Sequence, residues 1–326
     1  MAAAADEETK VNRMAELVVI ALGGNAIADR AQVRAEQQEE TIRRTAMSVV
    51  DIVAEGYQVC LAHGNGPQVG TIFLQQHAAE SDRMPAMPLD VCGAMSQGMI
   101  GYWLQQALQE ALTQRSLDLP CATLVTQTLV DADDPAFSSP TKPIGPFYSA
   151  KEAKALGDQG GYVLREDAGR GYRRMVASPH PLEILELRAV RQLLKSGCLV
   201  VAAGGGGIPV LRTGGRCRGV EAVIDKDLAA AKLADQLGAD VLLILTSVPG
   251  AALHYGTTRE TYLSHVRSAD LEHYMRAREF APGSMLPKVE ACIGFVRAQA
   301  GRRAVIAGIG DAVAALHGHK GTQVRA

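Results

Sequence analysis

Two glycine–asparagine loops, Gly23-Gly24-Asn25 and Gly64-Asn65-Gly66, and three lysines at turns or helix starts, Lys142, Lys226 and Lys288, are the residues best suited to chemistry in this sequence. Glycines let backbone N–H groups come close to a ligand, and asparagine tolerates the left-handed backbone that such loops use. Backbone amides at helix starts bind anions, phosphate above all. Lysine adds a compact charge that can follow a moving phosphoryl group, which the rigid arginine fork does less well. Only nine of the 33 basic residues are lysines, so their placement carries information. Asp225 suits the N-cap of a helix, which puts Lys226 in the first turn, where a cation opposes the helix dipole unless an anion is near. Phosphoryl transfer depends on such positioning and charge neutralisation more than on a nucleophilic side chain. Taken singly, each feature has a plainer reading: ordinary strand-to-helix turns, a solvated Lys142 in a rigid proline turn, and His63 as a packing residue rather than a base.

The elements that must position these residues follow from periodicity. Residues 17–22 form an apolar run that reads as a buried strand delivering Gly23. A helix is expected over 36–55, with Ile42, Ala46, Val49, Val50 and Val53 on one face and Gly56 as its stop. With a second strand over 57–62 this makes a βαβ unit, hence a parallel sheet with a right-handed crossover. Pro67 suits the first residue of a helix running to about residue 79. Further helices are expected over 99–114 and 182–196, and after Asp225 and Pro287; strands are expected over 198–203, 240–245 and 303–307. From 124 to 176, prolines, glycines and short Thr/Val/Tyr runs predict a β-rich excursion, a subdomain or lid. Gly204-Gly205-Gly206-Gly207 loosely echoes a dinucleotide fingerprint, but Pro209 and Gly214-Gly215 deny it the helix that a pyrophosphate needs.

The 326 residues, 47% hydrophobic and 21% charged, are those of a large globular chain, and a net charge of −2 offers no field for nucleic acid or anionic membrane. No stretch reaches the ~18 apolar residues of a membrane helix. Six scattered cysteines without a C-x-x-C pair argue against a zinc knuckle or a disulfide framework and for reduced thiols in the cytoplasm. Residues 1–13 fit neither a secretory signal nor a transit peptide, and are expected to be a loose tail or a cloning remnant before a single domain over 14–326. Neither the phosphate loop G-x-x-x-x-G-K-[ST] nor the protein-kinase signatures occur, so a phosphotransferase of another kind is indicated.

The chain resembles the carbamate kinases of the amino-acid-kinase superfamily. The likeness runs through ALGGNA at 21–26, HGNGPQVG at 63–70, LDVCGAMSQGMIGY at 89–102, DPAF at 134–137, PTKPIGPFY at 140–148, EDAGRG at 166–171, GGGGIPV at 204–210, GVEAVIDKD at 219–227 and GTQV at 321–324. It implies a three-layer α/β/α sandwich around a mainly parallel sheet, a protruding subdomain at about 124–176, a nucleotide-binding half at about 198–326, and a homodimer. The implied reaction joins ATP and carbamate to give ADP and carbamoyl phosphate, often run toward ATP in arginine catabolism, with Mg²⁺ bridging the phosphates and needing no dedicated carboxylate ligands. By the same resemblance, Gly23, Gly24 and Asn25, through the N–H groups of the two glycines and the amide of Asn25, would hold the phosphoryl group and carbamate together with Gly64, Asn65 and Gly66. Lys142 would reach carbamoyl phosphate from the subdomain. Lys226 would stabilise the transition state, Asp227 would orient the lysines, and Lys288 would bind nucleotide phosphates. Gly204, Gly205, Gly206, Gly207, Thr246, Ser247 and Tyr255 would lie on the nucleotide side. Related sequences often carry Asp, Gly and Trp where this chain has Ser247, Leu286 and Tyr172, and the stretch 26–35 looks shorter and more charged than usual. The other readings are a kinase of a different small carboxylate and a weakly active binding or sensor protein on the same fold.

Overall fold

The computed structural model describes residues 15–28, 34–158, 162–166, 169 and 171–326. The expected tail at 1–13, residues 29–33 of the stretch 26–35 and part of EDAGRG therefore lie outside the described residues. β1 (Leu17–Leu22) sends Val18, Ile20 and Leu22 into one apolar cluster and Val19 and Ala21 into another. A strand buried on both faces reads as a continuous apolar run rather than an alternating one. From β1 the chain passes through α1 (Ala35–Ala54) to β2 (Gln58–His63), then α2 (Gly66–Ala78), α3 (Leu89–Gln114) and the short β3 (Cys121–Thr123). β4 (Gln127–Leu129), β5 (Lys142–Tyr148), α4 (Ala150–Asp158), β6 (Val163–Glu166) and β7 (Tyr172–Val176) lie outside the main sheet. β8 (Glu183–Ile184), α5 (Leu187–Lys195), β9 (Leu199–Val201) and the hairpin β10 (Ile208–Thr213) with β11 (Arg216–Gly219) precede α6 (Lys226–Leu237) and β12 (Val241–Thr246). The chain ends through β13 (Ala252–Leu253), β14 (Thr261–Tyr262), β15 (His265–Arg267), α7 (Ser268–Arg276), α8 (Met285–Ala298), β16 (Arg303–Gly308), α9 (Ala312–Leu316) and β17 (Thr322–Arg325).

Among the described residues the main sheet runs β15-β17-β16-β12-β1-β2-β9-β3, parallel at each pairing except β16 with β17. Residues of α1, α3 and α9 pack on one face, and residues of α5, α6, α7 and α8 on the other. This is the expected three-layer sandwich. Residues 124–176 divide between two smaller sheets: β4 joins β8 and the β10–β11 hairpin, while β5, β7 and β6 form a three-stranded sheet of their own.

Two expectations need correction, and one strand has no counterpart among them. The helix begins at Leu89, ten residues before the expected 99, and on this added length Ser96 Oγ accepts from Asn65 Nδ2 while Gln97 Nε2 donates to Thr126 O and Gly204 O, contacts that reward it. The helix expected over 182–196 starts only at Leu187, since Glu183–Ile184 pairs antiparallel with β4 and Ile184 N–H donates to Gln236 Oε1 (2.9 Å). Pairing with a neighbour there overrides helical spacing. The strand at the C-terminus, β17, carries no strong pattern of its own and forms against β16 and β15.

The three-stranded sheet docks on α2 by bare backbone contact. Ile144 packs with Val69, Phe73, Leu89, Cys92, Val176 and Val223, and Gly145 (φ 72°) lies directly over Gly70. A Cβ on Gly70 would sit 2.0 Å from the Gly145 nitrogen. Gly70→Ala is expected to lower stability by about 1–3 kcal/mol through overpacking, read as a lower denaturation midpoint. Gly93→Ala, on a neighbouring helix with nothing within 4 Å of the new Cβ, should leave the midpoint unchanged or raise it.

Candidate active site

The sheet register brings the loops together. Leu22 is the partner of His63 on one side and of Leu245 on the other, so the chain leaves β1, β2 and β12 at the same edge. In a parallel α/β sheet this carboxyl edge is where ligands bind. Gly23 is so close to β12 that a Cβ would meet Leu245 O at 2.9 Å, and its N–H donates to that oxygen (3.0 Å). The Gly64 N–H likewise donates to Leu22 O (3.2 Å). The expectation that the Gly23 N–H would hold a phosphoryl group is therefore corrected: Gly23 provides closeness, and its donor is already in use. Gly24 and Asn25 open a 3-10 turn and Gly66 opens α2, so their amides are the kind that lack a helical acceptor.

Lys226 threads between these loops. Its Cδ lies 3.2 Å from the position a Gly64 Cβ would take, and Gly24 N is 3.9 Å from the same point. Asp225 caps α6 as expected, accepting from Asp227 N–H (2.9 Å). Its other oxygen accepts from Lys142 Nζ, which reaches in from β5. Asp227 accepts from Lys226 Nζ through Oδ1 and from Lys288 Nζ through Oδ2, the latter at 3.0 Å. Both carboxylates are buried, at 8% and 2% exposure. The three ammonium groups thus gather around two carboxylates, leaving one positive charge in excess at the mouth of the glycine loops.

The titration behaviour follows from this crowding. Burial pulls the Lys226 ammonium down, and nearby Lys288 adds to the effect against the pull of Asp227 and Asp225. Burial pulls Lys288 down as well, but Asp227 and Asp225 outweigh it and leave its pKa raised. For Asp225, burial pushes upward and is overcome by Lys142 and Lys226, so its carboxyl is held well below the usual range. His63 is buried, its Nδ1 lies 3.0 Å from Gly64 O, and burial pushes its pKa down to about 4. A neutral, enclosed imidazole packs the loop, which matches the plainer reading of that residue.

Gly204, Gly205, Gly206 and Gly207 lie beneath the second glycine loop. Cβ atoms on Gly204 and Gly205 would strike His63 Nε2 at 2.4 Å and Asn65 Nδ2 at 2.1 Å, and one on Gly207 would strike Thr128 Oγ1 at 2.0 Å. Gly205, Gly206 and Gly207 also take positive φ. Three residues that the sequence left unassigned tie this strut to α3. Asn65 Nδ2 donates to Ser96 Oγ (2.8 Å), Gln97 Nε2 donates to Gly204 O (2.9 Å) and Thr126 O (3.0 Å), and Thr126 Oγ1 accepts from Ala203 N–H (3.0 Å). The available signal was a Ser-Gln pair on an otherwise apolar helix.

Thr246, Ser247, Tyr255 and Lys288 meet at a cavity of about 170 Å³ beside this cluster, with Glu279 and Phe280 in its wall; the four glycines do not line it. Leu286 packs against the core on the same side, and Tyr172 pairs with Tyr148 and Glu166 in the three-stranded sheet. A roomier groove of about 650 Å³ beside Asp90, Arg218 and Glu221 contains none of the clustered lysines.

The pH dependence of this cluster has a definite sign. Because the Asp225 pKa is depressed, its contribution to stability is complete above the ordinary value of 3.8 and is lost as pH falls toward and through the folded value. The difference in unfolding free energy between the protein and Asp225→Asn should therefore be largest above about pH 4 and shrink on acidification, as measured by denaturant titration across pH.

The sequence profile of the Amino acid kinase family matches residues 16–308. A carbamate kinase of Pyrococcus horikoshii is 52% identical over 313 residues, covering 95% of this chain and 99% of that protein. The solved structure of Giardia lamblia carbamate kinase bound to citric acid superposes with a TM-score of 0.90 at 44% identity, covering 95% of this chain and 98% of that one. The same Giardia enzyme bound to AMP-PNP gives 0.87 at 44% identity and the same coverage.

Proposed function

The chain belongs to the amino acid kinase family, and from that premise we infer that its site carries a phosphoryl group between ATP and carbamate, exchanging them for ADP and carbamoyl phosphate. It is a phosphotransferase. The observation that carries the reading is the cluster of three lysines on two buried aspartates, with Lys226 between the two glycine loops and Lys288 at a small cavity. Lys288 belongs to both, lining the cavity and bonding Asp227, so phosphates of a nucleotide in the cavity would end at the lysines. Lys226 is placed to neutralise charge on the transferred group, and Lys142 to meet the carbamoyl end. The amides of Gly24, Asn25 and Gly66 would complete the cradle, with Asn65 held in shape by Ser96 and the four-glycine strut supporting it from below. Preorganised donors of this sort act where charge develops in the transition state.

A divalent cation accompanies the nucleotide in a kinase of this family, and we take it to be Mg²⁺. Asp225 and Asp227 are both engaged by lysines, and among the described residues no three His, Cys, Asp or Glu side chains gather as a metal cage. The donor set fits an ion held mainly by phosphate oxygens and water. We propose that the physiological direction runs toward ATP in arginine catabolism, since carbamoyl phosphate is a mixed anhydride with a strong tendency to phosphorylate ADP. We propose a cytoplasmic location on the strength of six free cysteines, five of them buried; no described helix is long and apolar enough to cross a membrane. The division into a subdomain at about 124–176 and a nucleotide half at about 198–326 is proposed on the same reading.

Supplied with ADP, Mg²⁺ and carbamoyl phosphate, the protein should make ATP. A folded protein that binds ADP yet makes none would favour the sensor reading, and turnover with other acyl phosphates alone would favour a different carboxylate. Lys226→Ala should lower kcat by about 10²–10³-fold, the scale for losing one preorganised donor, with an unchanged circular dichroism spectrum.

We further propose that the protein is a homodimer through α3. Met95 and Tyr102, two turns apart on one helix face, are 40% and 59% exposed, and Met84 just ahead of the helix is 60% exposed. Large exposed apolar groups gathered on one element mark an association surface. Tyr102→Glu should shift the sedimentation coefficient from dimer to monomer.

A further inference from the structure

Two non-glycine residues with left-handed backbone flank the nucleotide cavity: His254 at φ 52° and Arg278 at φ 60°. Such conformations persist only where the surroundings over-determine them, and they concentrate at functional sites. One side chain joins the two. Glu279, directly after Arg278, accepts the His254 backbone N–H on Oε2 (3.0 Å), and the same oxygen lies 3.2 Å from His254 Nδ1. The carbonyl of His254 is held as well, accepting from Thr257 N–H (3.1 Å) and from Thr257 Oγ1 (2.8 Å). Gly256, at φ 76°, donates its N–H to Glu260 Oε2 (2.7 Å). The turn from His254 to Thr257 is thus pinned at both ends and in its middle.

The side chain that this pinned turn presents is Tyr255, 62% exposed and lining the cavity together with buried Phe280. Burial in the core therefore does not explain why the ring is held there. A flat ring on a rigid turn offers a π-face to a purine, a contact that tolerates any base orientation about the stacking axis. We propose that Glu279 is a positioning residue that fixes the strained His254 turn and so holds Tyr255 across the base of a bound adenine nucleotide. Glu279 has this role only if the cavity binds ADP, as proposed above.

The test is a double-mutant cycle in the full chain with Glu279→Ala, Tyr255→Ala, the pair together, and Glu279→Gln, which keeps an oxygen acceptor for the His254 N–H. ADP binding is measured by calorimetry and turnover is followed with carbamoyl phosphate. Glu279→Ala and Tyr255→Ala should each raise KM and Kd for ADP about tenfold, with the loss on KM rather than kcat and with KM for carbamoyl phosphate unmoved. Glu279→Gln should recover most of the affinity. The pair together should be no worse than Tyr255→Ala, because Glu279 acts through that ring. Unchanged ADP affinity in Glu279→Ala overturns the proposal, and so do effects that add in the pair, since additivity would mean that Glu279 meets the nucleotide directly. Failure of the unaltered protein to bind ADP would instead overturn the assignment of the cavity.

Discussion

Asp227 lies buried between two ammonium groups, with one carboxylate oxygen toward Lys226 and the other toward Lys288. Two like charges brought out of water repel and lose hydration, and the shared Asp227 carboxylate, with Asp225 beside it, favours the charged form of both lysines. That single carboxylate also ties the start of α6 to the start of α8, since the three residues belong to the opening turns of those helices. The two helices are packed on one face of the sheet with Leu233, Ala234, Val289 and Cys292 between them and the strands. Electrostatics at their ends and apolar burial along their lengths therefore fix the same geometry.

Glycine serves here by making room rather than by making the chain flexible. Gly23 permits β1 to end against β12, Gly64 permits the stem of Lys226 to pass, Gly70 permits the outer sheet to dock, and Gly205 permits the strut to close on Asn65. Each of these positions lies where two backbones or a backbone and a functional side chain come within a Cβ radius. Under the proposed function, a lysine cluster held this tightly would need little rearrangement as charge develops on the transferred group, which is the condition under which fixed donors are most effective.

Much of this was legible in the sequence, for identifiable reasons. Leu17–Leu22 announces a doubly buried strand because no polar residue interrupts it, and Asp225 announces a helix start because a short carboxylate at that place caps free amides. The lysines could be singled out because lysine is scarce in the chain. What was hidden depends on distant partners. Whether Gly23 offers a free N–H depends on Leu245, more than 200 residues away, and the strand at Glu183–Ile184 exists because β4 lies beside it. Gly204 to Gly207 look alike in sequence whether they cradle a ligand or buttress a loop; only the nearness of His63, Asn65 and Thr128 distinguishes the two.

Lys142 differs in kind from its two companions. Lys226 and Lys288 share Asp227 on helices of the main body, whereas Lys142 begins a strand of the outer sheet and is paired with Asp225 instead. Asp225 also caps α6, so the carboxylate that pairs with Lys142 is the one that orders the helix start beneath Lys226. A substrate anion entering the cluster would compete with Asp225 for Lys142 while leaving the Asp227 pair intact. Under the proposed function its bond would be the one exchanged without breaking the Asp227 link between α6 and α8, and the backbone contact of Gly70 with Gly145 would keep it within reach.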